Sequence, residues 1–172
     1  MNLGKKIYKL RKACNLSQAK LAYKIGIYPD RISNYETGLY VPNLRNLINI
    51  TQSCNVSIKD FLNENFENCK NNNNFSYIVK EDNFRKMIFG IQILKYRKLN
   101  KLTQKQLAKK VGVNITTINR YENGYTIPDI YIMLKLCQEL NIDIDKMLKP
   151  YIQGISLKEV RKLLLQKNEK EI

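Results

Sequence analysis

Aligned on itself with an offset of 86 residues, the chain repeats without a gap from Gly4/Gly90 to Leu62/Leu148, and about a third of those positions are identical. The first copy reads Leu16-Ser17-Gln18-Ala19-Lys20-Leu21-Ala22-Tyr23-Lys24-Ile25-Gly26, then Ile32-Ser33-Asn34-Tyr35-Glu36-Thr37-Gly38, then Pro42. The second reads Leu102-Thr103-Gln104-Lys105-Gln106-Leu107-Ala108-Lys109-Lys110-Val111-Gly112, then Ile118-Asn119-Arg120-Tyr121-Glu122-Asn123-Gly124, then Pro128. A length of 172 residues allows one large domain or two small ones, and the repeat decides for two. Each then has a core near the lower limit for folding alone.

Apolar spacing predicts five short helices per copy. Leu3, Ile7 and Leu10 share one face of a first helix over about residues 2–14. Ser17 caps a second helix with Leu21, Ala22 and Ile25 inward, closed by Gly26. Pro29 suits the first turn of a third helix, with Ile32 and Tyr35 inward, which ends at Thr37-Gly38. Asn43 caps a fourth helix carrying Leu44, Leu47, Ile48 and Ile50. Ser57 and Asp60 read as a capping box for a fifth, with Ile58, Phe61 and Leu62.

The second copy follows the same plan with better caps. Thr103 and Gln106 form a T-x-x-Q box, and Asn114 stands where the first copy has Tyr28. Phe84, Met87, Ile88, Ile91 and Leu94 keep a helical period, so this copy's first helix starts earlier, near Asn83. The expected organisation is a domain over 1–66, a linker over 67–82, a domain over 83–152 and a C-terminal helix over 153–172. The polar, asparagine-rich stretch 68–74 reads as a tether, and 75–79 as a short strand or an extended segment. Ser156 and Glu159 form another capping box, opening a helix with Leu157, Val160, Leu163 and Leu164 on one face. That stripe either packs on the second domain or pairs two chains.

The net charge is +15, from 30 Lys and Arg against 15 Asp and Glu. Residues 1–66 hold ten basic and four acidic side chains, and residues 89–152 hold eleven and five, so both copies are basic and suit a polyphosphate. Cys14, Cys54, Cys69 and Cys137 show no CxxC spacing and the chain has no histidine, which argues against zinc; Cys54 and Cys137 read as small core residues. Lys5 and Lys6 are followed by further charge rather than by an apolar signal segment, and no stretch approaches the roughly 18 apolar residues of a membrane span. A cytoplasmic protein is expected.

The Ser/Thr-Gln opening, Leu-Ala at the fifth position, glycine at the turn and the Ile-x-x-Tyr-Glu-x-Gly close resemble the lambda-repressor-like, or xenobiotic-response-element, helix-turn-helix regulators of bacteria and phages. The likeness covers about three quarters of the chain. It implies an all-α fold of two tandem five-helix domains plus a short C-terminal helix, with the third helix of each domain lying in the major groove. Physical logic agrees with the motif: Ala22 and Ala108 are small where helices cross, and Gly26 and Gly112 permit the turn. Glu36 and Glu122 are expected to partner nearby polar or basic groups.

The resemblance implies base readers at Tyr28, Asp30, Arg31 and Asn34 in the first copy, and at Asn114, Thr116, Thr117, Asn119 and Arg120 in the second. Arginine forks onto guanine, asparagine pairs with adenine, and threonine touches a thymine methyl. Gln18, Lys24 and Tyr40, with Gln104, Lys110, Tyr125 and Thr126, are the expected contacts to the DNA backbone. Asp30 departs from the pattern, placing a carboxylate toward phosphates.

Two functions compete. One is a sequence-specific regulator of double-stranded DNA, most simply a repressor, with two readers on one chain spanning half-sites about 34–36 Å apart. The other is a protein-binding module of the same fold, as in antitoxins or phage inhibitors of host machinery. With no histidine, no phosphate-cradling glycine loop and no paired carboxylates at an apolar pocket, neither enzyme activity, nor a cofactor, nor a metal is expected. The expected partner is duplex DNA, with a homodimer through the C-terminal helix and a protein partner as further options, and no membrane.

Overall fold

The computed structural model describes residues 2–67, 69–71 and 83–153, and every regular element among them is a helix. The chain divides into two compact units, residues 1–80 and 81–172. The asparagine-rich stretch (all but 69–71), the 75–79 segment and the C-terminal helix from Ser156 lie outside the described residues.

In the first unit, α1 (Leu3–Ala13) begins at Asn2, whose side chain accepts from the Lys5 N–H, and ends with Arg11 and Lys12 near its carbonyl end. The Ser17 hydroxyl caps α2 (Gln18–Ile25) by accepting from the Lys20 N–H, and Gly26, at φ +67°, stops it. α3 (Pro29–Thr37) opens on its proline without a side-chain cap, Asn43 caps α4 (Leu44–Ser53), and Ser57 caps α5 (Ile58–Leu62). Only half of the expected capping box forms at α5. Asp60 is one methylene short of glutamate; its carboxylate accepts the Ser57 hydroxyl at 3.0 Å.

Helix α3 packs between α1 and α2, while α4 supports α2 and α5 closes against α1 and α4. Ile7, Leu10, Leu21, Ala22, Ile25, Ile32, Leu47, Ile48 and Phe61 have no exposed surface. The closest approach is at Gly4 in α1. A Cβ there would lie 2.5 Å from the Tyr35 carbonyl oxygen and 2.6 Å from that of Glu36, so only glycine lets α1 reach the end of α3. Gly90 holds the same position in the second unit, where a Cβ would lie 2.4 and 2.5 Å from the Tyr121 and Glu122 oxygens.

The second unit repeats this plan in α6 (Asn83–Leu99), α7 (Gln104–Val111), α8 (Ile115–Glu122), α9 (Ile130–Glu139) and α10 (Ile144–Gln153). Both halves of the Thr103/Gln106 capping box form, and Asn114 caps α8. The fifth helix departs from a short fifth turn: α10 has ten residues where α5 has five. The extra length goes with the earlier start of α6, at Asn83 rather than at Phe89, the counterpart of Leu3. Phe89 meets buried Tyr151 edge to face, with ring centroids 6.2 Å apart, and Arg85 donates to the Tyr151 and Ile152 carbonyls at the end of α10. Cys54 and Cys137 are buried, as is Cys14, whose thiol lies 4.0 Å from the Cys54 carbonyl. Asn100 makes the equivalent tie to the Leu140 carbonyl at 2.9 Å.

Candidate nucleic-acid interface

Helices α2 and α3, with the Gly26 turn between them, form a two-helix unit, and α7 and α8 form its copy around Gly112 at φ +78°. Ile32 and Tyr35 bury one side of α3, as Ile118 and Tyr121 do for α8. The remaining faces, free of the core, are mostly polar, with Pro29 and Ile115 exposed at the start of α3 and α8. An α-helix of about 10–12 Å diameter matches a major groove about 12 Å wide.

Each unit holds one arginine inside and one on this face. Arg11 is buried with Glu36: its Nε donates to Glu36 Oε1 at 2.5 Å, its Nη2 to Oε2 at 2.9 Å, and its Nη1 to the Leu16 carbonyl at 2.8 Å. Arg97 repeats this with Glu122 at 2.5 and 3.0 Å and with the Leu102 carbonyl at 2.7 Å. Side-chain exposures are 7% and 6% in the first pair and 10% and 4% in the second. The Glu36 hydrogen bonds raise the Arg11 pKa, which fixes its charge. These pairs tie the end of α3 or α8 to α1 or α6, so the glutamates are structural. Arg31 and Arg120, by contrast, are exposed and make no ion pair among the described residues.

The expected readers differ in what already occupies them. Tyr28 is exposed and makes no cap bond at the start of α3. Arg31 lies over the Tyr40 ring, 5.9 Å from its centroid, on a groove of about 730 Å³ that Tyr28 and Tyr35 also line. Asn34 is half-buried one turn further on. In α8, Asn114 spends its side-chain oxygen on the Thr116 N–H at 3.0 Å and hydroxyl at 3.1 Å, and Asn119 accepts from Asn123 at 3.2 Å. Thr117 is half-buried and Arg120 exposed. Asp30 is exposed in the first turn of α3, where it favours the helix dipole.

The expected backbone contacts are also partly occupied. Gln18 donates to Glu36 Oε2, and Gln104 to Glu122 Oε2, both at 2.8 Å. Each amide thus spends one of its two protons and is held at the start of its helix. Lys110 pairs with Glu139 at 2.8 Å, and Lys24 is half-buried. Tyr40 and Tyr125 are exposed and Thr126 is half-buried. Sequence reasoning missed the arginine half of the buried cluster. Its signal was present: Arg11/Arg97, Gln18/Gln104 and Glu36/Glu122 are identical in both copies.

The helix-turn-helix family matches the chain twice, over residues 7–61 and 93–147. The chain is also similar to an uncharacterised HTH-type transcriptional regulator, YazB, of Bacillus subtilis (strain 168). Identity is 32% over 63 residues, which are 91% of that protein and 37% of this chain.

Proposed function

The chain belongs to the helix-turn-helix family twice over, and from that premise we propose that it is a sequence-specific, double-stranded-DNA-binding transcriptional regulator. It acts as a repressor in the cytoplasm, by occupying DNA and without catalysis or a cofactor. The observation that carries this reading is a contrast between two arginines in each unit, one inside and one on the outer face. Arg11 and Arg97 are neutralised inside by Glu36 and Glu122, whereas Arg31 and Arg120 stand on the outer face of α3 and α8 with no carboxylate on them among the described residues. An exposed guanidinium on a helix narrow enough for the major groove suits guanine or phosphate. The name of the Bacillus subtilis relative points the same way.

The test is a fluorescence-anisotropy titration of the full chain on duplex DNA at two salt concentrations. With each unit making several phosphate contacts, affinity is expected to fall by orders of magnitude between about 50 and 200 mM salt. No binding to any duplex, or binding indifferent to salt, would overturn the reading and favour the protein-binding alternative.

A further inference from the structure

The two recognition helices are alike inside and different outside. Ile32/Ile118, Tyr35/Tyr121, Glu36/Glu122 and Gly38/Gly124 are identical and serve the core or the turn. The outer positions all differ: Tyr28/Asn114, Asp30/Thr116, Arg31/Thr117, Ser33/Asn119, Asn34/Arg120 and Tyr40/Thr126. A recognition helix kept on its inner side while its outer side changes presents two chemistries from one scaffold.

The arginine itself has moved. It is the third residue of α3, as Arg31, and the sixth of α8, as Arg120. Positions three apart lie on one helix face, about 4.5 Å apart along the axis, which compares with about 3.4 Å per base step. Arg31 is steadied by the Tyr40 ring, and Thr126 stands in that place in the second unit. Beside Arg31 lies the Asp30 carboxylate, an acceptor suited to a cytosine amino group, where α8 offers the Thr116 hydroxyl and methyl.

We propose that the chain's DNA target is asymmetric, made of two unlike half-sites. The guanine read by Arg31 and the guanine read by Arg120 differ by about one base pair in their position relative to the helix that reads them. This rests on the DNA-reading function proposed above.

Selection of bound duplexes from a random pool, with the full chain, tests it. The wild type is expected to enrich two different half-sites. The Arg31→Thr/Asn34→Arg variant gives α3 the Thr/Arg arrangement of α8, and it should move the preferred guanine by about one base pair in one half-site and leave the other unchanged. Arg31→Thr alone should lower the preference for that guanine by roughly 5- to 150-fold. Thermal melting of each variant, all at exposed or half-buried positions, confirms folding. Two identical half-sites from the wild type, or a folded double variant that selects the wild-type pair, would overturn the asymmetry while leaving DNA reading in place. Enrichment of no sequence by the wild type would overturn the DNA-reading function itself.

Discussion

Arg97 and Arg120 belong to the same unit and do opposite work. Arg97 is held in the core by two hydrogen bonds that it donates to Glu122, so Glu122→Gln leaves a buried guanidinium without its counter-charge and should cost about 3–5 kcal/mol in chemical denaturation. Arg120→Ala removes an exposed side chain and should change stability by less than about 0.5 kcal/mol, yet cost about 1–3 kcal/mol on the selected duplex. Equal stability losses in both variants would contradict this division. The structural role of the glutamates was legible as a need for some partner. The partner was not, because Arg11 and Glu36, 25 residues apart, meet only through the packing of α1 on α3.

Cys137 gives a pH dependence at the same scale. Burial, with the nearby Asp143 charge, pushes its thiol up to about 12 from an ordinary 9.0. The folded unit keeps a proton that the unfolded chain gives up. Stability from this group is therefore complete below pH 9 and lost as pH rises toward 12, by up to about 1.4 kcal/mol per pH unit. Denaturation midpoints measured from pH 8 to 10.5 should fall more steeply for the wild type than for Cys137→Ala; parallel slopes would show that the thiol does not contribute.

Among elements, the helices whose ends carry their own chemistry were the readable ones. Asn43, Thr103 with Gln106, and Asn114 cap where their side chains predict, and Gly26 and Gly112 stop α2 and α7 in the left-handed region. The length of α10 was not readable, since Tyr151 joins the helix by packing on Phe89, a contact that no local pattern encodes. The close crossing at Gly4 and Gly90 was visible only as a repeated glycine. Gly90→Ala places a Cβ 2.4 Å from the Tyr121 oxygen and must push α6 away from α8, at a cost of about 1–3 kcal/mol or more. Thermal melting should show the loss, and an unchanged midpoint would mean that the crossing is looser than described.

For the whole molecule, the repeat made the two-unit plan and the family legible, and it pointed to the outer faces of α3 and α8 that we propose read DNA. Which side chains on those faces are already engaged was legible only where the bond is local: the Asn114 cap of α8 was readable, whereas Lys110 holds Glu139 across 29 residues, a neighbour that folding brings. The central claim is that both units of one chain read the same DNA, so that tethering raises the affinity of the pair above that of either alone.

The most direct measurement is the affinity of four full-length proteins for the selected duplex at fixed salt: the wild type, Arg31→Ala/Asn34→Ala, Thr117→Ala/Arg120→Ala, and all four substitutions together. Both double variants should bind at least about tenfold more weakly than the wild type, and the quadruple variant should keep only its sequence-independent affinity. A folded double variant that binds as tightly as the wild type would show that its unit does not read DNA, and the two-reader account would fail.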